Sequence, residues 1–387
     1  MKVAYVLVAL LMIVGLALAC APGATPSPSP EVKGSADKVV PKAAWEQKWE
    51  STLAEAKKEG RVTVYTGWGN SVTVPLRAAF EKKYGIELEF NMIGGGSALM
   101  PKVEAVTRAG LHLADVFSVG TDTLMNQLKP AKLLGQVDHM LILPEVTDPN
   151  VWTGGQFPFL DKDKTTVKML GVIQRYISYN TNLIKEGEVT SYKDLVKPQY
   201  KGKITMSDPS VSGAASSMLS HIANDLWTVE EASEWLRLLL KQQEVVMTRD
   251  DYLVVDWTAK GKYAIGMAGK RGSLVEYMNA GAPITMAVQK EGHPMGTAAG
   301  AFALPAVVPH PNATSVFINW MLTKEGQAIV SVGYGFPSIR RDVPPEGYPP
   351  LFLPLSGEKT FPESEAGITR KEPLQKLWKS IIDDANK

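Results

Sequence analysis

The 387-residue chain has a single cysteine, Cys20, so neither a disulfide within the chain nor a multi-cysteine metal cluster is possible. Histidine is scarce too: His112, His139, His221, His293 and His310 lie far apart, with no HExxH or similar local metal spacing. Charge of one sign is missing, since 41 Lys and Arg face 40 Asp and Glu, and this excludes a nucleic-acid binder recognised by bulk basicity. The sequence shows no repeat period, no phosphate-binding P-loop and no GxSxG nucleophile turn. What it does have is 45% hydrophobic and 21% charged residues, enough apolar material for roughly two to three domains and too much for a disordered chain.

The one long apolar run is at the start. Lys2 precedes an uncharged stretch from Val3 to Ala19 that ends on Cys20. A run of about 17 residues sits at the lower limit for crossing a bilayer and also suits a secretory signal. Ala17-Leu18-Ala19-Cys20 resembles a bacterial lipobox, in which the thiol is lipidated and becomes the mature N-terminus. It departs from the usual pattern, because Ala17 stands where leucine is favoured. The alternative is an uncleaved anchor with an incidental cysteine. Residues 1–20 are therefore expected to be a lipoprotein signal, and 21–44, rich in Pro, Ser, Gly and Ala, a flexible spacer. Within it, Ser35-x-x-Lys38 has the spacing of a penicillin-binding nucleophile but none of that motif's companions, so it carries no chemistry.

From there the pattern alternates. Arg61–Thr66 is β-branched and aromatic and predicts a strand; Thr73–Tyr84 has helical spacing and is stopped by Gly85; Ile86, Leu88 and Phe90 alternate as a second strand. A helix to about Arg108 follows, then a strand at Ala114–Val119 and a helix capped by Thr121 or Asp122. This order predicts parallel strands with right-handed crossovers, and ligands in such sheets bind beyond the carboxyl ends of strands. The loops there supply Thr66, Gly67, Trp68, Gly69 and Asn70, then Gly95, Gly96 and Ser97, then Ser118 and Thr121, small hydrogen-bonding groups with one aromatic. A second block runs from a long strand-like stretch, Lys168–Asn180, through strands at Lys203–Ser207, Glu244–Thr248, Tyr263–Ala268 and Ile284–Val288. Helices are expected at Ala214–Leu226, Val229–Lys241, Asp250–Lys260, Asn312–Leu322 and Glu325–Val332, and an amphipathic one near Leu374–Asp383.

The strand ending at Ser207 turns through Asp208-Pro209-Ser210-Val211-Ser212-Gly213 into the helix at Ala214, where free N–H groups and the helix dipole favour an anion. An ordinary serine cap is the plain alternative. Arg175 and Tyr176 lie within the long Lys168–Asn180 run, while Arg249 with Tyr252, and Arg271, follow predicted strands. Solvated surface charge is the plain alternative for each, and several cations so placed favour an anionic ligand.

The motif order resembles the type 2 periplasmic solute-binding proteins of ABC importers, in the iron(III)/solute-binding family 1 branch. The residues that carry the likeness are VTVYTGWG at 62–69, FEKKYGIELEF at 80–90, ADVF at 114–117, ISYNTNLI at 177–184, SYKDLVKPQYKGKITMSDP at 191–209 with Ser212-Gly213, and WMLTKEGQAIVSVGYGFPSIRRDV at 320–343. The resemblance implies an α/β fold of two lobes joined by hinge strands around an interlobe cleft. It places lobe 1 at 45–170 plus 303–343, lobe 2 at 171–302 with hinges at 171–180 and 296–302, and a C-terminal extension at 344–387. It further implies a monomeric, lipid-anchored receptor in the cell envelope that hands its ligand to a membrane permease without chemistry, and Ser212-Gly213 matches the family's anion-binding turn. Ferric-binding members carry adjacent tyrosines where this chain has only Tyr334, followed by Gly335 and Phe336, which disfavours iron. A small organic anion (organophosphate, phosphonate or carboxylate) is the expected ligand, with no cofactor; a ferric receptor and a tethered enzyme on the same fold are the alternatives.

Overall fold

The computed structural model describes residues 42–92, 96–211, 213–297, 300–345, 348 and 350–385. The lipobox with Cys20 and most of the spacer lie outside these residues.

The chain enters on α1 (Ala44–Glu59), which ends on Gly60 in the left-handed region that glycine adopts without cost. β1 (Arg61–Thr66), α2 (Asn70–Tyr84), β2 (Glu87–Met92), α3 (Gly96–Arg108) and β3 (Val116–Ser118) follow as expected. A short α4 (Thr121–Thr123) continues as a π-helical turn over Leu124–Leu128. Beyond it come β4 (Leu134–Gly135), α5 (Pro144–Thr147), β5 (Thr166–Lys168), β6 (Val172–Ile173), β7 (Ile177–Asn180) and β8 (Ile204–Ser207). Then α6 (Ala214–His221) runs into a second π turn at Ile222–Leu226. α7 (Val229–Gln243) starts on a capping box in which Thr228 and Glu231 exchange hydrogen bonds of 2.8 and 3.1 Å. The order continues β9 (Val246–Thr248), α8 (Asp251–Ala259), β10 (Ile265–Met267), α9 (Arg271–Asn279), β11 (Ile284–Met286), β12 (His293–Gly296), β13 (Ala301–Pro305), α10 (Pro311–Leu322) and α11 (Lys324–Tyr334). It closes with β14 (Thr360–Pro362), α12 (Glu365–Thr369) and α13 (Lys371–Ala385).

Two sheets divide these strands into two lobes. The first has the order β2-β1-β3-β13-β4, with β5 also on β13; β1, β2 and β3 are parallel and β13 runs against β3. The second is β11-β7-β10-β8-β9, with β8, β9 and β10 parallel and β7 antiparallel to β10 and β11. Each has its own core. Phe80, Phe317 and Trp320 interlock in the first, with ring centroids 5.3 and 5.4 Å from Phe80. Tyr192, Trp227 and Trp235 do so in the second.

Lys168–Asn180 is not the single strand that its apolar run predicts. It is split into β5, β6 and β7, which belong to three different sheets. Gly171 sits at one break, where a Cβ would come within 2.6 Å of Ile339 and 2.9 Å of Met295, so only glycine fits. β6 joins a third, small sheet, β14-β12-β6, which lies on the path between the lobes. Its strand β14 belongs to the C-terminal extension, whose sequence gave no strand signal.

Candidate functional site

α6 presents Ala214, Ser217, His221 and Asn224 at spacings of three and four residues, one stripe of a helix. That stripe forms one side of a cavity of about 330 Å3, within the range of small-molecule sites. Opposite it lie Gly120, Thr121 and Asp122, just past the carboxyl end of β3 in the first lobe. Gln174, Tyr176, Met295 and Gly296, from the segments linking the lobes, form the back. Phe361, Glu363 and Lys371 come from the C-terminal extension.

Polar groups in this cavity are partly unused. His221 Nδ1 lies 2.7 Å from Asp225 Oδ2, while its Nε2 is buried without a hydrogen-bond partner. Ser220 Oγ and Asn224 Nδ2, both on cavity-lining residues, are also buried and unpartnered. The Asp225 carboxylate favours the proton on Nδ1, which leaves Nε2 as an acceptor. The Phe361 ring stands edge-on to the imidazole at 5.2 Å. Glu363 accepts from Thr121 Oγ1 at 3.0 Å, from Thr297 N at 3.2 Å and from Thr297 Oγ1. Burial raises the pKa of Tyr176, so its phenol stays neutral and able to donate. The charged lining residues are Asp122, Asp225 and Glu363 against Lys371, an excess of carboxylate.

Of the residues expected at the site, Thr121, Tyr176 and Ala214 line the cavity. The three arginines do not; each is held by the protein. Arg175 is buried and bound to Glu358 and to the carbonyl oxygens of Leu351 and Leu353. Arg271 is bound to Gln174 and lies 5.4 Å from the Phe352 ring; burial lowers its pKa. Arg249 is exposed and its Nε meets Asp208 Oδ2 at 3.2 Å. Trp68 is fully buried in the first core rather than walling the cavity, because the chain turns it inward at the end of β1, where its N–H bonds Thr66 Oγ1. Thr66 and Ser118 are buried in the sheet, and Ser118 Oγ donates to Ala301 O at 2.9 Å. Gly67, Gly69 and Asn70 are exposed outside the cavity, and Gly69 serves as the N-cap of α2.

Ser207 Oγ donates to Ala268 O, and Gly213 N to Ser216 Oγ at 3.1 Å, which closes the turn on itself. Tyr252 is exposed with its hydroxyl 3.4 Å from that of Tyr277, and Tyr334 meets Phe336 edge-on at 5.2 Å. Gly95 and Ser212 lie outside the described residues, and of Gly96 and Ser97 only the backbone at the start of α3 is described. Sequence reasoning missed Gln174, His221, Asn224, Asp225, Phe361, Glu363 and Lys371. The His221-x-x-x-Asp225 spacing was a usable signal for one pair; nothing local marks the others.

The family model for bacterial extracellular solute-binding proteins matches residues 76–350. The chain belongs to that family. Among curated relatives, it is 24% identical over 296 residues to a spermidine/putrescine-binding periplasmic protein of Haemophilus influenzae, covering 75% of this chain and 78% of the relative. Among solved structures, it resembles the periplasmic binding protein AfuA of Actinobacillus pleuropneumoniae with fructose-6-phosphate bound, at 22% identity and TM-score 0.59, covering 84% of this chain and 99% of that one. It also resembles FutA of Trichodesmium in complex with iron and citrate, at 18% identity and TM-score 0.64, covering 84% and 99%. The protein is thus a type 2 solute-binding receptor of an ABC transporter, with the two-lobed fold of periplasmic binding proteins.

Proposed function

We propose that this receptor captures a small solute rich in hydrogen-bond donors, foremost an amine, in the cavity between its lobes, and presents it unaltered to a membrane permease. The observation that carries the reading is the charge of the lining: three carboxylates against one lysine, beside the unpartnered acceptor Nε2 of His221. An ammonium group placed among them gains charge-assisted hydrogen bonds, and a phosphate would meet repulsion. The Haemophilus relative, a spermidine/putrescine-binding protein, is in line with this.

The anionic solute expected from the sequence loses the three arginines that suggested it, and keeps Lys371 and the start of α6, both at the cavity. A ferric site is disfavoured by the place of Tyr334, which packs on Phe336 outside the cavity lining. We place the lobes at 45–170 with 303–343 and at 171–302, save that Ala301 and Phe302 of β13 lie in the first lobe's sheet, and the extension packs on both lobes. The lipobox at Cys20 supports a lipid-anchored body at the envelope surface. Closure around the solute follows from its better fit to the closed form.

The test is a thermal-shift panel of putrescine, spermidine, glucose 6-phosphate, methylphosphonate, citrate, ferric citrate and glucose. A solute that binds only the native state raises the melting temperature. The amines are expected to give the largest rise; a rise with the phosphates or ferric citrate alone refutes the amine reading, and turnover of a bound solute refutes the absence of chemistry.

A further inference from the structure

Residues 358–371 lie beyond the 76–350 stretch that the family model matches, yet they complete the cavity. We propose that this C-terminal segment selects the solute, with Glu363 as the selecting group. The inference rests on the receptor reading above and adds to it the part of the chain that discriminates.

The segment is fixed on both sides before any solute arrives. β14 pairs in parallel with β12, through His293 opposite Thr360 and Met295 opposite Pro362. Ile368 is buried in the core of the first lobe with Phe117 and Leu124, and Asn126 Nδ2 donates to its carbonyl oxygen at 3.3 Å. Lys129 Nζ joins Glu365 at 2.5 Å and Asp161 at 2.8 Å. Leu374, Trp378 and Ile381 of α13 are buried in the core of the second lobe. About six residues separate Ile368 from Leu374, and a chain of that length spans at most about 20 Å even when fully extended. The segment therefore moves with both lobes and stays at the cavity whenever they approach.

Glu363 is held by Thr121 of the first lobe and by Thr297 of the linking segment. A carboxylate offers about four lone-pair directions, and these three bonds leave one for a solute in a residue that lines the cavity. Among the described residues no direct ion pair to it is formed. Lys168 Nζ bonds its backbone oxygen at 3.1 Å, and the Glu363 charge partly offsets the burial that lowers the Lys168 pKa, so one cation lies near the carboxylate without contacting it. The carboxylate is thus preorganised, which lets it discriminate by charge at little cost in ordering. Phe361 of β14, two residues before Glu363, and His221 facing it supply an aromatic edge against which an alkyl stem packs.

The experiment compares the full chain with its Glu363→Gln and Glu363→Lys variants, by calorimetric titration with putrescine and with glucose 6-phosphate. Glutamine keeps the shape and can still bond both threonines, so the fold is expected to survive, checked by far-UV circular dichroism. The expected result is at least about a tenfold rise in putrescine Kd for Glu363→Gln, the loss of one charge-assisted bond. A larger loss is expected for Glu363→Lys, together with a gain in glucose 6-phosphate affinity. If the unaltered protein binds a solute and both folded variants bind it equally well, selection does not reside in Glu363 and the receptor reading stands. If the unaltered protein binds no solute of the wider panel, the receptor's ligand class is wrong and this inference falls with it.

Discussion

Replacing Glu358 by glutamine isolates the anchor of the C-terminal segment. In the native protein Glu358 bonds Arg175, and both side chains are almost wholly buried, at 4% and 0% exposure. Burial drives the guanidinium pKa down, and the Glu358 charge opposes that shift. Glu358→Gln removes the charge but hardly changes the volume, and leaves a buried cation with neutral acceptors only, the glutamine amide oxygen and the carbonyls of Leu351 and Leu353. Breaking a buried pair from one side costs about 3–5 kcal/mol, and the two carbonyls argue for the lower end, about 3 kcal/mol. For a folded body of about 340 residues the unfolding entropy is about 0.7 kcal/mol per kelvin, so the melting temperature should fall by about 4 °C. Scanning calorimetry at pH 7 reads this directly. Adding Arg175→Met to the same chain should recover most of the loss, because no lone charge then remains buried. A fall below 1 °C in the single variant, or no recovery in the double, would show that this pair does not anchor the segment.

Two further predictions concern pH and location. His293 is buried beside the same pair; burial first, then the charges of Arg175 and His221, hold its pKa down to about 3, while Glu358 Oε1 lies 2.7 Å from Nδ1. The folded form thus resists a proton that the unfolded chain accepts near pH 6.5, so its contribution is complete above that pH and is lost as pH falls toward 3, at up to about 1.4 kcal/mol per unit. Melting temperatures from pH 7 to 4 should decline less steeply in His293→Gln; an identical slope refutes the assignment. Cys20→Ala should move the protein from the membrane fraction to the soluble fraction, as read by fractionation and immunoblot, and an unchanged distribution would contradict lipid anchoring.

The first lobe was largely legible because its signals are local. β-branched Arg61–Thr66, the helix stopped at Gly85 and the alternating Leu88 and Phe90 each announce their element within a few residues. The parallel order of β1, β2 and β3 then follows from chain handedness. The cavity was much less legible. Thr121, Tyr176 and Ala214 were found because strand ends and helix starts are marked in sequence. Arg175 was misplaced because its partner, Glu358, lies 183 positions away and no periodicity links them. Trp68 reads equally well as pocket wall or core until packing decides. Phe361 sits on a strand of three residues paired with β12, too short for any alternation to appear, and Glu363 lies just past its end.

The central claim, that the cavity between the lobes takes a donor-rich solute by its carboxylates, is tested most directly by calorimetric titration of the unaltered protein with putrescine in competition with glucose 6-phosphate. The account predicts one saturable site per chain with micromolar or tighter Kd for the amine, on the order of −8 kcal/mol, undisturbed by the phosphate. Saturable binding of glucose 6-phosphate that putrescine does not weaken would contradict it.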